Sequence, residues 1–201
     1  QSGRMRTIVY GAGAIGGTIA GRLFAAGHDV VAIARGPHLD AIRADGLILA
    51  DPDRTLTLPV PAVGHPPELT LGPDDVVVLA MKTQHTAAAL DDLLAAAPAD
   101  IGIVCAQNGV ENERLALRRT PNVHGMCVML PAEHLEPGVL RQDRRNDLRQ
   151  VGRLIIGGDD DEGALRHWRS SGAGAPRPRR PARPAGRTAR WTRWRTRNGQ
   201  G

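Results

Sequence analysis

At 201 residues, 41% apolar but only 2% aromatic, the chain has room for one good-sized aliphatic domain, or one and part of another. No apolar run approaches the ~18 residues of a membrane span and no signal-peptide pattern precedes the first strand, so a soluble, cytoplasmic protein with no membrane partner is expected. The net charge of +5 belongs to one end: residues 173–201 hold nine arginines and no acid, and taking those nine from 26 leaves 17 basic against 21 acidic residues, a net −4.

The first element is a strand. Ile8, Val9 and Tyr10 form a short β-prone run that leads into Gly11-Ala12-Gly13-Ala14-Ile15-Gly16, a GxGxxG turn. Gly11 allows the tight turn, Gly13 lets backbone approach a pyrophosphate, and Gly16 lets the next helix lie close to the strand. Ile15, Ile19 and Leu23 repeat at helical spacing, Gly27 stops that helix, and Asp29–Ala34 reads as a second buried strand. This is the context in which a glycine-rich turn binds a dinucleotide, the helix N-terminus facing the phosphates.

Arg35 lies 24 positions beyond Gly11, where a dinucleotide fold reads the adenosine ribose. An acid there selects NAD, whereas an arginine accommodates a 2′-phosphate, so Arg35 favours NADP(H). Pro37–Leu47 follows as a short helix with Leu39 and Ile42 on one face and Gly46 at its end. Leu47–Ala50 and Thr55–Val60 read as a hairpin, and the prolines from Pro59 to Pro73 as a surface connection.

Val76–Ala80 is the next central strand, and Met81-Lys82-Thr83-Gln84 leaves its carboxyl end, where ligands of parallel sheets bind. Lys82 is the only lysine in the chain, placed either to meet cofactor or substrate or simply as a surface charge. Ala87, Leu90, Leu94 and Ala97 mark a helix closed by Pro98, Ile101–Cys105 a strand, and Gln107-Asn108-Gly109-Val110 its carboxyl end. Asn108 can donate and accept toward a carboxamide or hydroxyl; Asn-Gly is also a common turn. Glu111–Arg119 reads as a helix and Val123–Leu130 as a sixth strand. Cys105 and Cys127 read as buried free thiols, and no metal site is expected because Asp159–Glu162 has the spacing of a solvated acidic turn.

Taken together, GAGAIGG at Gly11–Gly17, ARGPHLDAIRADGL at Ala34–Leu47, MKTQ at Met81–Gln84, QNGVEN at Gln107–Asn112, EPG at Glu136–Gly138 and LIIGG at Leu154–Gly158 resemble the N-terminal domain of the ketopantoate reductase (2-dehydropantoate 2-reductase) family. The resemblance implies an α/β, Rossmann-type, doubly wound and mostly parallel sheet. It implies NADPH-dependent reduction of 2-dehydropantoate to pantoate, on the route to pantothenate and coenzyme A, or of another small 2-oxo acid. By position it puts the pyrophosphate on Gly11, Ala12, Gly13, Ala14, Ile15 and Gly16 and the 2′-phosphate on Arg35. Lys82 falls beside the nicotinamide, and Asn108 on the nicotinamide ribose or the substrate.

The family continues into an all-helical domain that supplies a general-acid lysine, and here the sequences part. Residues 173–201 contain no Val, Leu or Ile. The expected division is therefore an NADP-binding domain at 5–172 and a disordered Arg/Pro-rich tail at 173–201, whose vocabulary is what frame-shifted GC-rich codons produce. A truncated, weakly active or inactive form follows, prone to self-association or homodimer formation through an uncovered sheet edge. Trp191 and Trp194 among the arginines allow polyanion binding, but no specific nucleic-acid partner is expected.

Overall fold

The structure, a computed structural model, describes residues 5–109, 111–142 and 156–157. The tail, the acidic run at 159–162 and the expected domain boundary lie outside these residues. In chain order the elements are β1 (Arg6–Tyr10), α1 (Ala14–Ala25), β2 (Asp29–Ile33), α2 (Gly36–Asp45), β3 (Leu47–Ala50), β4 (Thr55–Leu58), β5 (Ala62–Val63), β6 (Asp75–Leu79), α3 (Thr86–Ala96), β7 (Gly102–Cys105), α4 (Glu111–Leu117), β8 (Val123–Met126), β9 (Ala132–Glu136), β10 (Val139–Gln142) and β11 (Ile156–Gly157).

Seven strands form one sheet in the order β11-β8-β7-β6-β1-β2-β5, parallel throughout except for β11 against β8. Ile8 of β1 stands beside Val31 on one side and Val77 on the other. Strands covered on both faces are built from unbroken β-branched runs, and β1, β2 and β6 are such runs. Alternate residues feed two cores. Val9, Val30, Ala32 and Val78 pack with α1 and α2, while Ile8, Ile33, Val77 and Leu79 pack with α3 and α4. The sheet is thus doubly wound, as expected, and its strand order reverses between β1 and β6.

A second sheet, β4-β3-β10-β9, was not foreseen. The hairpin of β3 and β4 is present, but β10 pairs in parallel with β3 across some ninety residues of chain, Val139 beside Ile48. This sheet explains a second difference, in α1. The expected stripe of Ile15, Ile19 and Leu23 is only half-buried, and the buried face is Gly16, Gly17, Thr18, Ala20 and Gly21. The helix is sandwiched between two sheets and needs small residues on both sides. A Cβ at Gly17 would lie 2.5 Å from Leu140 Cδ1, and one at Gly21 2.6 Å from Leu49 Cδ1.

Other expectations shift by a residue or a role. The proline-rich connection contains β5, an edge strand two residues long set beside β2, a place where flanking prolines remove no central ladder bond. Helix α3 buries Thr86, Ala89, Leu90 and Leu93 rather than Ala87, Leu94 and Ala97. The strand from Val123 ends at Met126 instead of Leu130. Cys105 is a buried thiol, pushed up to about 12 by burial and by Glu113, whereas Cys127 lies beyond the strand end and is exposed. Among the described residues no helix is long and apolar enough to cross a membrane.

Candidate active site

The carboxyl ends of β2, β1, β6 and β7 are consecutive neighbours in the sheet, and each emits one of the residues singled out by sequence. Arg35 follows β2, the glycine turn follows β1, Lys82 follows β6 and Asn108 follows β7. Three strand spacings of ~4.8 Å put the outer two roughly 14 Å apart, a span on which an extended dinucleotide can lie. Backbone bonds carry the sheet's order into these loops: Gly11 N and Ala12 N donate to Ile33 O at 3.0 and 3.1 Å, Ala80 N to Tyr10 O at 2.9 Å, and Ala106 N to Leu79 O at 2.8 Å.

The turn itself is built by close approach. Gly11 has φ +97°, and a Cβ there would sit 2.7 Å from Met81 N, so only glycine lets the β1 loop lie on the β6 loop. At Gly13 the situation is reversed: a Cβ would meet nothing within 4 Å. Gly13 is the N-cap of α1, no side chain caps the helix, and no acid occupies its first turn. The first-turn N–H groups are therefore open beside empty space, with the positive helix end behind them. That combination fits a pyrophosphate, and Gly11, Ala12, Gly13, Ala14, Ile15 and Gly16 are the residues that would hold it.

Arg35 is the N-cap of α2 and exposed. Seven other arginines pair with carboxylates, Arg6, Arg22, Arg43, Arg54, Arg114, Arg119 and Arg141. Among the described residues Arg35 makes no such pair. Lys82 and Asn108 are likewise exposed and have no side-chain hydrogen bond within the described chain. Their charges and amides are available to a ligand.

Residues 7–154 match the family model described as Ketopantoate reductase PanE/ApbA. The chain belongs to the ketopantoate reductase family. It is 41% identical over 107 residues to the 2-dehydropantoate 2-reductase of Mesorhizobium japonicum, covering 53% of this chain and 32% of that protein. To the Halobacterium salinarum 2-dehydropantoate 2-reductase it is 30% identical over 147 residues, covering 68% of this chain and 46% of that one. The fold is similar to the crystal structure of the PanE/ApbA family ketopantoate reductase from Ralstonia eutropha JMP134, with a TM-score of 0.69, 28% identity, and coverage of 84% of this chain and 54% of that chain. The chain thus spans a third to about half the length of the relatives it matches.

Two features of this chain were not found from sequence. One is a buried polar latch behind Lys82 and Asn108. Gln107 Nε2 donates to Thr86 Oγ1 at 2.6 Å, Thr86 Oγ1 donates to Asn112 Oδ1 at 3.0 Å, and Asn112 Nδ2 donates to Thr83 Oγ1 at 3.2 Å. Thr86 and Asn112 are fully buried. The latch ties the loop after β6 to the loop after β7, and so fixes Lys82 relative to Asn108. The signal was present, since all four residues sit in or beside the MKTQ and QNGVEN motifs, but the partners become visible only in the fold. The other feature is His38, buried beneath the glycine turn, whose contacts are taken up below.

Proposed function

We propose that this chain binds NADPH and serves the reduction of 2-dehydropantoate to pantoate, a step toward pantothenate and coenzyme A, carried out in the cytoplasm. The observation that carries the reading is the ordered row of Arg35, glycine turn, Lys82 and Asn108 on four adjacent strand ends, their polar groups unspent. The names of the relatives supply the substrate. Residues 5–172 are the NADP-binding part in this reading, and 173–201 stand apart from it.

When bound, NADPH supplies the hydride. This chain's residues bind and orient, and the proton that the new alkoxide takes comes from solvent, the sequence holding no lysine after Lys82. The first-turn amides of α1 fix the pyrophosphate, and Arg35 takes the 2′-phosphate through charge-assisted bonds from its fork of donors. Lys82 offers an ammonium beside the nicotinamide end, where it orients the 2-oxo acid and polarises the carbonyl oxygen that becomes an alkoxide. Asn108 fixes the ribose or the substrate by donating and accepting.

The substrate is tested by following NADPH absorbance on mixing. Oxidation that depends on 2-dehydropantoate supports the assignment, and equal rates with any small 2-oxo acid overturn it. Arg35→Ala tests the cofactor. A charge-assisted phosphate contact contributes about 2 kcal/mol, so NADPH affinity is expected to fall about 30-fold while NADH affinity stays within about twofold. An equal loss for both cofactors contradicts the role given to Arg35. Lys82→Ala and Asn108→Ala change exposed groups that have no side-chain hydrogen bond among the described residues, so calorimetry should show melting temperatures within about 2 °C of wild type. A larger drop would mark them as structural.

A further inference from the structure

His38 lies in the first turn of α2 and is 8% exposed, yet its three polar contacts all reach other elements. Its Nε2 lies 2.6 Å from the carbonyl oxygen of Ala12, inside the glycine turn. Its Nδ1 lies 2.8 Å from the amide N of Gly138, at the bend between β9 and β10, and 3.0 Å from Nε2 of His134 on β9. The imidazoles of His38 and His134 stand 4.1 Å apart, centre to centre. These contacts dictate the tautomer. A carbonyl only accepts, so Nε2 carries the proton, and a backbone amide only donates, so Nδ1 must be bare. His38 is therefore held as neutral imidazole, bridging the turn after β1 to the second sheet.

Resting on the NADPH reading above, we infer that His38 is a positioning residue for the pyrophosphate turn, and that its protonation releases the turn and weakens cofactor binding. A proton on Nδ1 would set an N–H against the Gly138 N–H, which can only donate. That contact would turn repulsive, and the ring could keep its bond to Ala12 only by parting from the β9–β10 bend. Among the described residues its hydrogen-bond partners are the Ala12 carbonyl, the Gly138 amide and the His134 ring, none of them a carboxylate, and Glu136 beside the bend pairs with Arg141. Burial holds the ring's proton affinity below its ordinary value, and His134 adds to that effect, against the Ala12 bond, which raises it.

The sign follows from linkage. The binding-competent form is the unprotonated one, so affinity is flat above the His38 pKa and falls as pH drops through it. One linked proton gives at most about tenfold per pH unit. Because the pKa lies below the ordinary ~6.5, the fall begins on the acid side of that value.

The test is an NADPH fluorescence titration from pH 5.0 to 8.5 on wild type, His38→Gln and His134→Gln. Glutamine at 38 can still donate to Ala12 but does not titrate in this range. Dividing the wild-type Kd by that of His38→Gln also cancels the titration of the cofactor's own 2′-phosphate. The expected ratio is flat near pH 7.5 and rises toward pH 5.0, by at most about tenfold per pH unit. His134→Gln removes a neighbour that opposes protonation, so its affinity should break at a higher pH than wild type, while matching wild type at pH 8. Should His38→Gln fail to fold, the His134→Gln shift decides alone, since His134 is exposed and its loss leaves the core intact. Wild type that binds NADPH with a flat ratio and no shift overturns the role of His38 and leaves the cofactor reading standing. Wild type that binds no NADPH at any pH overturns both.

Discussion

Gly16→Ala should abolish NADPH binding and lower the melting temperature by roughly 10 °C. Alanine is the better helix former by about 1 kcal/mol, so on propensity alone the change would stabilise α1. Geometry outweighs that gain. The new Cβ would stand 2.1 Å from the carbonyl oxygen of Gly11 and 2.8 Å from Ala80 Cβ, and neither can rotate away. The start of α1 must lift off the strand ends, at a net cost of about 3 kcal/mol, and each kcal/mol shifts the melting point of a domain this size by about 2–4 °C. Gly13→Ala is the companion measurement. With nothing within 4 Å of its Cβ, the fold should tolerate it within about 2 °C. The methyl would occupy the space in front of the helix N-terminus, so NADPH affinity should still fall at least about tenfold. If Gly13→Ala binds NADPH normally, the phosphates lie elsewhere.

Asp75→Ala should be strongly destabilising although it lies away from the site. Asp75 is 6% exposed and opens β6 directly beside Arg6, which opens β1. Arg6 Nε donates to Oδ1 at 3.0 Å and Nη2 to Oδ2 at 2.7 Å, while Gly72 N donates to Oδ2 at 2.8 Å and Arg6 Nη2 also reaches Thr70 O at 2.8 Å. The carboxylate raises the Arg6 pKa, chiefly through these bonds. Removing it strands a half-buried guanidinium and an amide, which costs about 3 kcal/mol. The expected result is a fall of roughly 10 °C in melting temperature. NADPH affinity of the folded protein should be unchanged within about twofold, because the pair sits at the amino ends of the strands and the site at the carboxyl ends. A tenfold loss of affinity with no loss of stability would contradict this division of labour.

The central sheet and the turn were legible because both are written locally. Unbroken β-branched runs such as Val76-Val77-Val78 suit only strands covered on both faces, and the glycines answer to backbone demands that hold wherever the turn occurs. Of the second sheet only the β3–β4 hairpin was legible, since no local signal says that Val139 will lie beside Ile48. That pairing in turn decided which face of α1 is buried. Helix α3 was ambiguous for a different reason. Its run of Ala and Leu admits two stripes, and the choice falls to Thr86, which is buried to complete the latch with Gln107 and Asn112. His38 escaped notice because its partners stand 26, 96 and 100 positions away. Residues at the strand ends can be found by counting; residues that hold those ends in place need the fold.

The most direct measurement is a fluorescence titration of the purified wild-type chain with NADPH and then with NADH at pH 7.5. Saturable NADPH binding, tighter than NADH by the same factor that Arg35→Ala removes, is the predicted result. Binding of neither cofactor would contradict the account at its centre, leaving the glycine turn as architecture without a ligand.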